Sequence, residues 1–177
     1  MTEIDISILE PAWDDACPDC SAIVETAAEA TLALCPVAQK LIDGGVEMEI
    51  SIVLAHDALV QELNREYRDR DKPTNVLSFA QLDGEDGWEA PTTPGPCALG
   101  DLILAYETVA RESAEENKPF EHHLTHLVIH GILHLLGYDH IQDNDAEEME
   151  SLEIQILKGL DITDPYKIRE NDGIMHG

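Results

Sequence analysis

Three histidines close the most apolar stretch of this chain. Residues 130 to 140 read His-Gly-Ile-Leu-His-Leu-Leu-Gly-Tyr-Asp-His, which spaces His130, His134 and His140 as H-x3-H-x5-H. Histidines four apart lie one above the other on one helix face. Gly137 can end that helix by taking a left-handed conformation. The chain then folds back and can deliver His140 to the same point. Three neutral imidazoles with a fourth position open form the ligand set of a catalytic rather than a structural zinc.

The spacing matches the zinc site of metzincin proteases, H-E-x-x-H-x-x-G-x-x-H, with one departure. The Glu that serves there as general base is Gly131 here. A protease without that carboxylate cannot activate water in the usual way. Glycine inside a helix costs about 1 kcal/mol relative to Ala, so Gly131 needs a reason. It either leaves room for something bulky beside the metal or allows close helix packing. His126 extends the stripe of His130 and His134. Residues eight apart on a helix are separated by about 12 Å, so His126 and His134 cannot easily share one ion. The expected ligands are therefore His130, His134 and His140, with His126 in a supporting or structural role. His122 and His123 fall at the helix start and are expected at the surface. His56 and His176 have no partner evident in the sequence.

Alternation of apolar and polar residues predicts strands over 4–9 and 46–55. Further strands are expected over 74–80 and 98–105. Helices are expected over 21–42 (kinked near Pro36), 57–67 (Leu59, Val60, Leu63 and Tyr67 on one face) and 106–117. The metal-bearing helix begins at Pro119 and runs to about Leu136. A last acidic amphipathic helix spans 144–160, with Met149, Leu152, Ile156 and Leu160 inward. Residues 82–97 carry three prolines, three glycines and four acids, which marks a loop and a candidate flap. The fold class is α+β: one domain over residues 1–177, with about four strands in a mixed sheet and about five helices. The metal site would lie at the end of a central helix.

At 177 residues the chain is long enough to bury a real core. No apolar run approaches a membrane span. The N-terminus has no basic region followed by an apolar stretch, so the cytoplasm is the default location. The net charge of -27 argues, taken alone, against a nucleic-acid surface. Its distribution is more informative. Four of the ten Lys and Arg residues, Arg65, Arg68, Arg70 and Lys72, fall within eight positions. Cys17 and Cys20 form a C-x-x-C without a second pair, and with Cys35 and Cys97 are expected to be reduced thiols.

The second constellation is Tyr67-Arg68-Asp69-Arg70-Asp71-Lys72-Pro73-Thr74-Asn75-Val76-Leu77-Ser78-Phe79, a charged loop entering a strand. A guanidinium at a strand edge can hold a phosphate or carboxylate in a bidentate contact. The segment alone equally fits a solvated connection. Together with L-G-D-L-I-L at 99–104 and the histidine run, it resembles the YbeY family of bacterial endoribonucleases. The resemblance extends over 46–166, including the acidic run 143–153 and Asp164-Pro165-Tyr166.

That resemblance implies a single-strand-specific endoribonuclease holding one zinc ion per chain. It implies action in rRNA processing, namely maturation of the 16S rRNA 3′ end, and in ribosome biogenesis and quality control. Carried onto this chain, the metal ligands are His130, His134 and His140, and the functional arginine is Arg68. Arg68 and His130 are then the catalytic candidates, and Arg68, Arg70 and Lys72 the substrate-binding ones. The implied partners are single-stranded rRNA and a ribosomal subunit or ribosome-associated protein. On so acidic a body, such a partner would supply the basic surface. Two alternatives stand beside it: a zinc hydrolase of peptide or amide bonds, and a ribosome-assembly factor with a structural metal.

Overall fold

A computed structural model describes residues 2–84, 87–138 and 143–162 of the chain. In chain order the elements are β1 (Glu3–Ile8), α1 (Ala12–Ala16), α2 (Cys20–Leu34), α3 (Pro36–Asp43), β2 (Val46–Ala55), α4 (Asp57–Arg68), β3 (Val76–Ala80), β4 (Asp83–Gly84), β5 (Gly87–Trp88), β6 (Gly95–Ala105), α5 (Tyr106–Glu115), α6 (Phe120–Leu135) and α7 (Asp143–Gly159). The α+β class stands. Four strands form a mixed sheet in the order β1-β2-β6-β3. β1, β2 and β6 run parallel, and β3 pairs antiparallel with β6 at the edge.

β2 shows how the sequence builds the sheet. Met48, Ile50, Ile52 and Leu54 alternate with polar or half-buried residues and enter the main core. α6 crosses that face and is buried on nearly all sides, as an almost wholly apolar helix must be. The opposite face carries a smaller cluster in which Val60 of α4 meets Leu77, Ile103 and Ala105. Gly100 marks a register shift between β2 and β6. Its φ is +151°, and a side chain there would collide with the Phe79 carbonyl and the Leu135 side chain.

Seven helices are described where about five were expected. Pro36 does more than kink a helix: it starts a new one, and α2 and α3 meet at 79°. α1 lies between the expected strand over 4–9 and the expected helix over 21–42, where no helix was expected. It is too short to show periodicity and is held by tertiary contact, with the buried Trp13 indole donating to the Ala55 carbonyl at 2.8 Å. The stretch 82–97 is not wholly a loop. It contains the β4–β5 hairpin, whose two-residue strands are too short to alternate, and it includes the start of β6. In α4 the buried pair is Val60 and Asn64, and Tyr67 is 66% exposed. Asn64 closes the charged loop by donating to the Lys72 carbonyl at 2.8 Å and accepting from the Arg70 amide at 3.2 Å. His56 caps α4, with Nδ1 accepting from the Leu59 amide.

His123 is buried, not at the surface. Its Nε2 stands 2.9 Å from Glu112 Oε1, which also accepts from Asn75 Nδ2 at 3.0 Å. One carboxylate thus joins α5, α6 and the entry to β3. Among the described residues no single helix is long and apolar enough to cross a membrane. The bent pair α2–α3 meets the length and composition criteria only jointly.

Burial pushes the Glu112 carboxyl up, but hydrogen bonds from His123 and Asn75 outweigh it and leave the group below its ordinary value. A depressed folded pKa contributes stability above the unfolded value, and that contribution is lost as pH falls through the folded value. Urea unfolding should therefore show Glu112→Gln less stable than wild type above about pH 5, with the gap closing progressively below about pH 4. A gap independent of pH would remove the carboxylate from this account.

Candidate active site

α6 ends in a motif that also builds the site. The Gly137 amide donates to the His134 carbonyl at 3.1 Å and the Tyr138 amide to the Leu133 carbonyl at 3.0 Å. Gly137 itself has φ +97°. These are the two bonds and the left-handed residue of a Schellman terminator. The turn brings the Tyr138 carbonyl back onto the helix, where it stands 2.9 Å from His134 Nδ1. A backbone oxygen only accepts, so His134 Nδ1 carries the proton.

His130 is held in the same sense from another element. Its Nδ1 lies 2.6 Å from Glu153 Oε1 of α7, again an acceptor. In a neutral imidazole a donating Nδ1 leaves a lone pair on Nε2. The two Nε2 atoms stand 3.0 Å apart, with the rings at 85°. Two lone pairs at that distance repel, and a cation bound by both, or a shared proton, relieves the repulsion. The donor set therefore fits a borderline-soft cation such as zinc, with each ring oriented by its outer nitrogen.

Glu153 was not singled out from the sequence. It is fully buried. His126 Nε2 stands 3.6 Å from the same carboxylate oxygen that engages His130. Burial pushes the Glu153 carboxyl up, but hydrogen bonding and charge from His126 and His130 prevail and hold it well below the usual carboxylate range. His126 thus sits behind the nitrogen pair, on the carboxylate that orients His130. Among the described residues no third metal-ligating side chain joins the pair. His140, the expected third ligand, lies outside the described residues, as do Asp164, Pro165 and Tyr166.

Arg68, the last residue of α4, lines the same open cavity of about 540 Å³ as His130 and His134. Its Nη2 donates to the Ser78 carbonyl at 2.7 Å, and its guanidinium lies 5.1 Å from the Phe79 ring centroid. That fixes the plane while leaving most of its five donors for a ligand. Arg70 and Lys72 do not line this cavity. They line a neighbouring recess with Arg111, which shares Arg68, Thr74 and Asn75 with it. Arg111 gave no signal in sequence, because an exposed i,i+4 pair with Glu115 at 3.9 Å reads as a solvated face. All four cysteines are free thiols, three of them buried. Burial raises the Cys20 thiol to about 12, which suits a packed thiol and not a nucleophile.

Of the two readings of Gly131, the geometry favours packing. A Cβ there would stand 2.7 and 3.0 Å from the two methyl carbons of Leu102, a wholly buried residue of β6. Gly131→Ala should lower thermal stability by about 1–3 kcal/mol through overpacking, partly offset by helix propensity. A melting temperature equal to wild type would show that α6 does not need the glycine to approach the sheet.

Comparison with known proteins adds to this geometry. A family model described as "Endoribonuclease YbeY" matches residues 16–161. A protein of that name from Paramagnetospirillum magneticum is 53% identical over 165 residues, covering 93% of this chain and 95% of its own. One from Bradyrhizobium diazoefficiens is 46% identical over 169 residues, covering 96% and 86%. In structure, the chain is similar to a Thermotoga maritima protein solved in solution, with a TM-score of 0.53 at 24% identity over 89% of this chain and 91% of that one. At that identity the likeness speaks for the fold alone.

Proposed function

We propose that this chain, which belongs to the YbeY endoribonuclease family, is a zinc-dependent endoribonuclease that cuts single-stranded regions of rRNA. Its place would be the processing of rRNA, with maturation of the 16S rRNA 3′ end and quality control of ribosomes in the cytoplasm. The observation that carries the zinc reading is the pair of Nε2 atoms 3.0 Å apart, each ring held by an acceptor at Nδ1. The relatives' name, endoribonuclease, supports RNA as the substrate.

His130, His134 and, by motif spacing, His140 would hold the ion. Zinc bound there would supply a Lewis acid for a phosphoryl oxygen and lower the pKa of a bound water. The chain's own groups do the rest. Glu153 and the Tyr138 carbonyl fix the tautomers and aim the imidazoles. Arg68 faces the same cavity and would clamp the scissile phosphate, offsetting the charge that grows on it during attack. No carboxylate follows His130, so the chain offers no base of the zinc-protease type. The proton of the nucleophile then leaves by another route, and a 2′,3′-cyclic phosphate product would identify the substrate's own 2′-OH as that nucleophile. A ribosomal subunit or a ribosome-associated protein would provide the basic surface that a chain of net charge -27 lacks.

The test sets zinc-quantified wild type beside identically purified His130→Ala and Arg68→Ala on single-stranded rRNA. Wild type should cleave and His130→Ala should not. Arg68→Ala should keep its zinc and lose about 10²- to 10³-fold in rate. Equal cleavage by all three would mean contaminating nuclease and favour an assembly factor whose metal is structural.

Glu153→Gln addresses the clamp on His130. Competition against a chelator should show zinc affinity about 10- to 100-fold weaker, with far-UV circular dichroism unchanged. Unaltered affinity would reduce Glu153 to a packing role.

A further inference from the structure

Trp88 lies on β5, half-buried, and lines the histidine cavity. Other rings have packing roles that account for them. Trp13, Tyr106 and Phe120 form one cluster. Tyr67 and Phe79 pair beside Arg68. Trp88 has no ring partner among the described residues, and two other contacts hold it. Its Nε1–H donates to the Leu135 carbonyl at 2.8 Å, one of the α6 carbonyls that helix termination leaves open. Gly137 covers one face of the ring. A Cβ on Gly137 would stand 2.9 Å from Cδ2, 3.1 Å from Cγ and 3.2 Å from Cε3. Such nearly equal distances place it above the ring plane, not at its edge.

The indole is thus fixed, its polar atom is satisfied, and it still borders an open cavity shared with Arg68 and the histidine pair. We propose that Trp88 is the platform on which an unpaired RNA base stacks beside the scissile phosphate. The inference rests on the endoribonuclease reading and adds a physical source of single-strand preference. A base inside a duplex is covered on both faces by its neighbours, whereas an unstacked base can lie on the indole. Stacking accepts every base, so this platform selects for lack of pairing and not for sequence.

The chain has two tryptophans, and Trp13 is wholly buried, so oligonucleotide contact is read by Trp88 emission. The probes are a cleavage-resistant 2′-O-methyl single strand and the same strand in a duplex, at low ionic strength. Anisotropy of an end label follows binding independently. The single strand should quench wild-type emission to saturation, and the duplex should not. Trp88→Ala should bind the single strand roughly 5- to 150-fold more weakly. Trp88→Phe, which keeps a stacking face without the Nε1 donor, should recover most of that loss. Binding by anisotropy without quenching, wild-type affinity in Trp88→Ala, or no recovery in Trp88→Phe would overturn the platform and leave the RNA reading in place. No anisotropy change with wild type would instead remove the RNA reading, and the platform with it.

Discussion

Two imidazoles a helical turn apart converge on one ion most tightly when each ring is held by its other nitrogen. Here the two holds have different origins. One is a backbone carbonyl supplied by the turn that ends α6, so it comes at no cost in side chains. The other is a full charge brought into the core by α7, where Met149, Ile156 and Leu157 are buried. An ionised carboxylate in such surroundings is expensive unless it is hydrogen-bonded and paired. One oxygen of Glu153 is engaged by His130 and approached by His126. The carboxylate and the histidines therefore depend on each other. Without the acid His130 could turn, and without the histidines the buried acid would lose the hydrogen bonding that holds its carboxyl ionised.

The sheet sets the position of everything else. Leu102 on β6 meets Gly131, which fixes how closely α6 approaches. Gly100 lets β3 and Leu135 close in at the next point along the strand. The antiparallel edge strand β3 then presents Ser78 and Phe79 to Arg68, so a residue from the opposite face of the sheet reaches the histidine cavity. In a chain with so few cations, Arg68, Arg70, Lys72 and Arg111 gather along one recess, with Glu112 among them.

Much of this was legible in sequence. The alternation in β2 is strict because one face is buried. The His130 and His134 pair and the left-handed Gly137 are fixed by helix geometry, and the PTNVLSF and LGDLIL segments fall on the paired strands β3 and β6. What escaped has physical reasons. Glu153 sits in an acidic amphipathic helix, where a buried acid looks like a solvated one. His123 stands at a helix start but turns inward because Glu112, itself held by Asn75, meets it there. Asn64 replaces an expected apolar contact because it closes a loop through the backbone. α1 and the β4–β5 hairpin are too short for any period to register, and they exist through tertiary anchors, Trp13 on Ala55 and Trp88 on Leu135.

The contact between Arg68 and the Ser78 carbonyl has a consequence for the molecule's colloidal behaviour. β3 is an edge strand, and its outward backbone groups are a template for pairing with another chain. The guanidinium occupies one of those acceptors with a charged, hydrated group. Taking the side chain away would therefore bare part of a sheet edge while removing a cation from the cavity. A deficit from the lost cation is the same at any protein concentration. A deficit from strand-to-strand association grows with it.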